Sequence, residues 1–111
     1  MSAIRSSDHP TIQPSAVHGV AFAVLTGAIG RSGSSVGANY AESGAAESQK
    51  DFVHKLSIAL KEAEETNFWL GCLSRECPQF PEADALIKEN REFIQILQKS
   101  ISTAKRNLPN P

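Results

Sequence analysis

Three histidines, two cysteines and a run of carboxylates are the side chains here that could do chemistry. A thiol nucleophile needs a histidine within hydrogen-bond reach. The pair to consider is His54 with Cys72. On one helix these stand about five turns apart and cannot touch within a chain. His9 falls in an N-terminal stretch with Pro10 and Pro14, and His18 opens an apolar segment. A di-metal site in a helical bundle draws Glu-x-x-His pairs from two helices, and no such pair occurs. Cys72 and Cys77 fit neither a disulfide framework nor a zinc pattern. Glu62, Glu64 and Glu65 have Lys55 and Lys61 near them, which suits a salt-bridged surface. Gly27, Gly30, Gly33 and Ser34 lack the Gly-Lys-Ser/Thr core of a phosphate loop. The expectation is a protein without enzymatic activity, metal or cofactor.

Charge points to a different kind of chemistry. Lys88, Arg91, Lys99 and Arg106 lie within one face of a C-terminal helical pattern, interrupted by Glu92. Lys50, His54 and Lys61 align on the pattern before it. A phosphate backbone could be read by such stripes. A net charge of −1 gives that reading no global support, so a solvated face is the plainer account.

The elements that would position these residues are helical. A chain of 111 residues, 41% apolar and 21% charged, makes one globular domain. Residues 1–14 carry no hydrophobic period and are expected as an extended or disordered tail. The bundle domain is expected over 15–108, with helices at about 20–44, 48–75 and 81–106. The first is the hardest to read, because each interior glycine costs about 1 kcal/mol relative to alanine. Gly30, Gly33, Gly37, Ala41 and Gly44 nevertheless recur every three or four residues, a small-residue ridge that would let another helix approach. The apolar run 20–25 is diluted by His18, Gly19, Thr26 and Gly27. It falls far short of the roughly 20 residues that cross a bilayer, although it is long enough for a signal-peptide core. No membrane association is expected, and both cysteines are expected as thiols in the cytoplasm.

The central pattern, 48–73, is the clearest. Ser48 caps it with Asp51 at the third helical position. Phe52, Leu56, Ala59, Leu60, Ala63, Thr66, Leu70 and Leu73 make a core stripe. Ile58, Trp69 and Cys72 lie on the opposite flank with Glu62 and Glu65, which predicts a second contact surface between subunits. Pro78 and Pro81 end this helix and open the last one. There Ala83, Leu86, Asn90, Phe93, Ile94, Leu97, Ile101, Ala104 and Leu108 face inward, while Ile96 lies off the stripe as a further candidate contact.

Residues 31–70 carry a resemblance. Arg31-Ser32, Ser35, Ala38-Asn39, Glu42, Ser48, Asp51-Phe52, Lys55, Ile58-Ala59, Lys61-Glu62, Glu65 and Trp69-Leu70 follow in the order of the 23S rRNA intervening-sequence protein family. The chain resembles that family, which implies an all-α, up-down antiparallel four-helix bundle assembled as a homopentamer. It implies no enzymatic activity. Related accessory proteins of diversity-generating retroelements bind nucleic acid and a reverse transcriptase, so a nucleic-acid or protein partner is a second expectation. The family places a long helix before the part matching residues 24–35. Here that first helix must be short or degenerate. The leading reading is a non-catalytic, self-assembling bundle that presents a repeated surface to a partner, and the alternative is a nucleic-acid-binding accessory protein.

Overall fold

The computed structural model describes residues 14–109, with side chains from residue 19 onward. These residues form three α-helices and no strands: α1 (Pro14–Ser43), α2 (Gln49–Glu76) and α3 (Glu82–Arg106). The four-helix arrangement with a short first helix is not what these residues display. The expected tail over 1–14 lies outside them except for Pro14, which starts α1.

Glycine does not interrupt α1. Its hydroxyl and amide side chains bond back to their own helix, Thr26 to the Phe22 carbonyl at 2.8 Å, Ser34 to that of Gly30 at 2.7 Å and Asn39 to that of Ser35 at 2.9 Å. Leu25, Ala28, Ser32 and Ser43 are buried along one stripe and anchor the helix to α2. The ridge of small residues takes no part in that contact. A Cβ built at Gly30, Gly33 or Gly37 meets nothing within 4 Å, so no helix of the described chain is seated there.

Ser48 caps α2 as its type predicts. Its hydroxyl accepts from the Asp51 N–H at 3.0 Å, and Asp51 Oδ2 accepts from the Glu47 N–H at 3.2 Å. At the other end, the Cys77 N–H donates to the Leu73 carbonyl at 2.8 Å, and Pro78 prevents continuation. Pro81 stands one residue before α3, at φ −68° and ψ −16°, so the chain enters the helix already wound.

α2 is the shared partner. It packs antiparallel against α1, pairing Leu25 with the Leu73 end and Glu42 with Lys55, and antiparallel against α3 through Asn90 and Asp84. The backbones of α1 and α3 do not approach one another. The core accordingly divides in two. One cluster gathers Val53, Leu56, Ala59, Ala63, Leu97, Ile101 and Ala104; the other gathers Leu25, Leu73, Cys77 and Ala83. Val53 is buried in the first, whereas Phe52, expected inward, is half-buried. Leu86 is 44% exposed on the supposed inward stripe of α3, because only α2 approaches that helix closely by its backbone.

Candidate interaction surfaces

The outward flank of α2 is built by helical spacing alone. Ile58 and Trp69 are eleven residues apart, close to a whole number of turns, and stand about 16 Å from one another along the axis. Both are half-buried, as are Glu62 and Cys72, and Glu65 is exposed. Trp69 is held in place from two sides. Its indole N–H donates to Glu65 Oε1 at 3.4 Å, and its ring meets Phe68 edge-to-face with centroids 5.0 Å apart. Phe68 is 61% exposed and was not foreseen; its position beside Trp69 on a helix that already carried Ile58 and Cys72 off the core stripe was the available signal.

Beside this flank, α1 and α2 enclose a cleft of about 180 Å³ lined by Ala28, Arg31, Ser32, Ser35, Glu62, Glu65 and Trp69. All of these except Ala28 belong to the set of residues that carries the family resemblance. Each position has a reason. Ser32 is small enough for the helices to close, and its hydroxyl lies 2.8 Å from Thr66 Oγ1 while donating to the Ala28 carbonyl at 3.1 Å. Arg31 folds over Gly27, its Nη1 lying 3.5 Å from where a Cβ would stand. Farther along the seam, Lys55 Nζ meets Glu42 Oε2 at 3.0 Å. The Glu42 carboxylate, by its hydrogen bond and its charge, raises the Lys55 pKa above 10.5. This is the ion pair among the described residues, and it ties α1 to α2.

Ile96 does not join the flank. It is on α3, 58% exposed, and lines a separate depression with Phe52, Lys99 and Ser100. Lys88, Arg91, Lys99 and Arg106 are all exposed on α3. Lys88, Lys99 and Arg106 share one azimuth, and Arg91 stands to one side of it. Lys50, His54 and Lys61 are on α2, with Lys50, His54 and Lys61 exposed on a different helix from that stripe. His9 lies outside the described residues. Among the described residues no group of three metal-ligating side chains comes together, and no helix is long and apolar enough to cross a membrane.

A central helix with one neighbour on each of two faces, and a flank carrying aromatic and acidic side chains beside a polar cleft, defines the class: an all-α helical-hairpin protein organised about α2. The chain belongs to the 23S rRNA-intervening sequence protein family, whose model matches residues 22–99, well over half of its length. The match runs from the third turn of α1 through the whole of α2 into the last two turns of α3. No curated protein and no solved structure matches the chain.

Proposed function

We propose that this protein is a non-catalytic, self-assembling helical protein of the cytoplasm that presents a repeated surface to a partner. Subunits meet through Ile58, Glu62, Glu65, Trp69 and Cys72 on α2, with Phe68 added to the set. The observation that carries this reading is the outward flank of α2. It bears a Phe68–Trp69 pair where a helix of a lone small bundle would be polar: Phe68 is 61% exposed, and Trp69, packed on one side against the Leu25–Leu73 cluster, is only half covered. Large aromatic side chains fixed by their neighbours are the usual anchors of an interface. The family resemblance supports five copies in a ring and a four-helix bundle in each. The same resemblance and the polar cleft support a shared contact surface at Arg31, Ser35, Glu62 and Glu65.

Light scattering is the test. The full chain is expected to have several times the mass of one subunit, and Trp69→Ala is expected to shift it toward smaller species. A strict monomer, or an unchanged mass in the variant, counts against the reading.

A second reading is a nucleic-acid-binding accessory role for Lys88, Arg91, Lys99 and Arg106. It is favoured by the exposure of all four on one helix, repeated in every copy of an assembly. Retention of labelled RNA or DNA should then fall steeply with salt, because each phosphate contact releases counterions. No retention at low salt would remove it.

A further inference from the structure

α2 has a face turned away from both of its neighbours. α1 meets the helix through Lys55, Thr66 and Leu73, and α3 meets it through Ala63, Asn67 and Ser74. The side opposite these carries His54, Ile58, Lys61, Glu65, Phe68 and Cys72, with Trp69 at its α1 edge and Ser57 at its α3 edge. His54, Lys61, Glu65 and Phe68 are exposed, and Ile58 and Cys72 are half-buried.

The chemistry of this face is self-complementary about the level of Ala63. Two residues to either side stand Lys61 and Glu65, of opposite charge. Five to either side stand Ile58 and Phe68, both apolar. Nine to either side stand His54 and Cys72, at the same azimuth and about 27 Å apart along the helix. We infer that a second copy of this chain docks on this face, its α2 antiparallel to the first about a two-fold axis level with Ala63. The inference rests on the reading of the α2 flank as a contact between subunits and gives that contact its direction and register.

Three features select this occupant and this register. The first is charge at the centre. Such an axis sets Lys61 of each copy against Glu65 of the other, making two symmetric pairs. Neither side chain has an ion-pair partner within 4.0 Å among the described residues of its own chain. The second is the apolar rim. Ile58 comes against Trp69 of the other copy on one edge, while Phe68 comes against Ser57 and the Lys61 stem on the other edge. Sliding the partner by two turns would set Glu65 against Phe68 and Lys61 against Cys72, and the opposite slide would set Lys61 against Ile58. Either slide leaves a charge facing an apolar side chain.

The third is polarity of the whole unit. The half holding the start of α2, residues 36–61 and 95–109, carries six basic and three acidic side chains. The half at the α2–α3 turn, residues 19–35 and 62–94, carries four basic and eight acidic ones. Neighbours running in the same direction would lie acidic end beside acidic end. Antiparallel copies lay the basic end of each beside the acidic end of the other.

The test is light scattering on the full-length chain, with circular dichroism to confirm that each variant folds. Lys61→Glu and Glu65→Lys should each weaken self-pairing about tenfold, because each creates two like-charge contacts. The chain carrying both changes should pair as wild type does. An equimolar mixture of the two single variants should also pair, since every contact in the mixed species is again of opposite charge. A second measurement fixes direction. His54→Cys should let a short bifunctional maleimide join two chains, linking each new thiol to Cys72 of the other copy. Wild type should not be joined, because its two Cys72 thiols lie at opposite ends of the contact. A single-chain mass at every concentration overturns both this inference and the flank reading. An assembly that Trp69→Ala dissociates, but in which neither the double change nor the mixture recovers pairing, keeps the flank and overturns the antiparallel form. Wild-type chains joined through Cys72 alone overturn it as well.

Discussion

The two hollows beside α1 differ in kind. The cleft against α2 is small, polar and floored by the Ser32–Thr66 hydrogen bond, and the helices around it are closed on each other. The groove against α3 is long and apolar, and the helices around it do not touch through their backbones. The cleft is lined almost wholly by residues of the family pattern. The difference teaches that α1 and α2 are joined along a closed polar seam, whereas α1 and α3 meet only through side chains such as Tyr40 and Phe93.

If the cleft floor is closed and the groove wall open, equal insults should have unequal effects. Ser32→Leu forces a large side chain between helices where Ser32 is 5% exposed, and should lose about 1–3 kcal/mol, read as a drop in the thermal midpoint. Leu86→Ala, on the groove wall, should cost well under the 2–5 kcal/mol typical of a buried leucine when measured at a dilution where chains are single. Equal losses would break the comparison.

Next in size are the glycines. Gly30→Ala and Gly37→Ala add a methyl into open space on a helix, and each should stabilise a single chain by about 1 kcal/mol. If either change instead lowers the mass of the assembled protein, the ridge is seated against a neighbouring subunit.

The smallest effect is expected at the rim of the α1–α2 seam. Glu42→Gln should let the Lys55 pKa fall back toward 10.5, seen by NMR of its Nζ. The pair's contribution to folding is fully present below 10.5 and is lost as pH rises through the raised value, so wild type and variant should converge in stability at strongly alkaline pH.

Much of this architecture could be read from local chemistry. Ser48 and Asp51 announced the start of α2, and Pro78 and Pro81 its separation from α3, because caps and prolines act within a few residues. Asn90 was placed inward by period alone, and the structure gives it the Ala63 carbonyl at 2.8 Å and Asn67 Oδ1 at 3.2 Å. The start of α1 was misjudged by six residues, since glycine lowers helix propensity while tertiary contacts at Leu25 and Ala28 outweigh it. Period could not say which neighbour a stripe faces. Phe52, Leu86 and Phe93 read as core, yet they border a groove, because coverage depends on how many helices the chain supplies. Ile96 was grouped with Trp69 for being off-stripe, although the two sit on different helices and border different hollows.

The asymmetry of contact has a kinetic corollary. Every close backbone approach joins helices adjacent in sequence, α1 with α2 and α2 with α3. Each half is therefore a hairpin with a short turn, and closing either one requires little loop entropy. α2 can be annealed from either side, and α3 can detach as a unit while the α1–α2 hairpin and its Ser32–Thr66 bond persist. Amide exchange in α3 should then report a local opening.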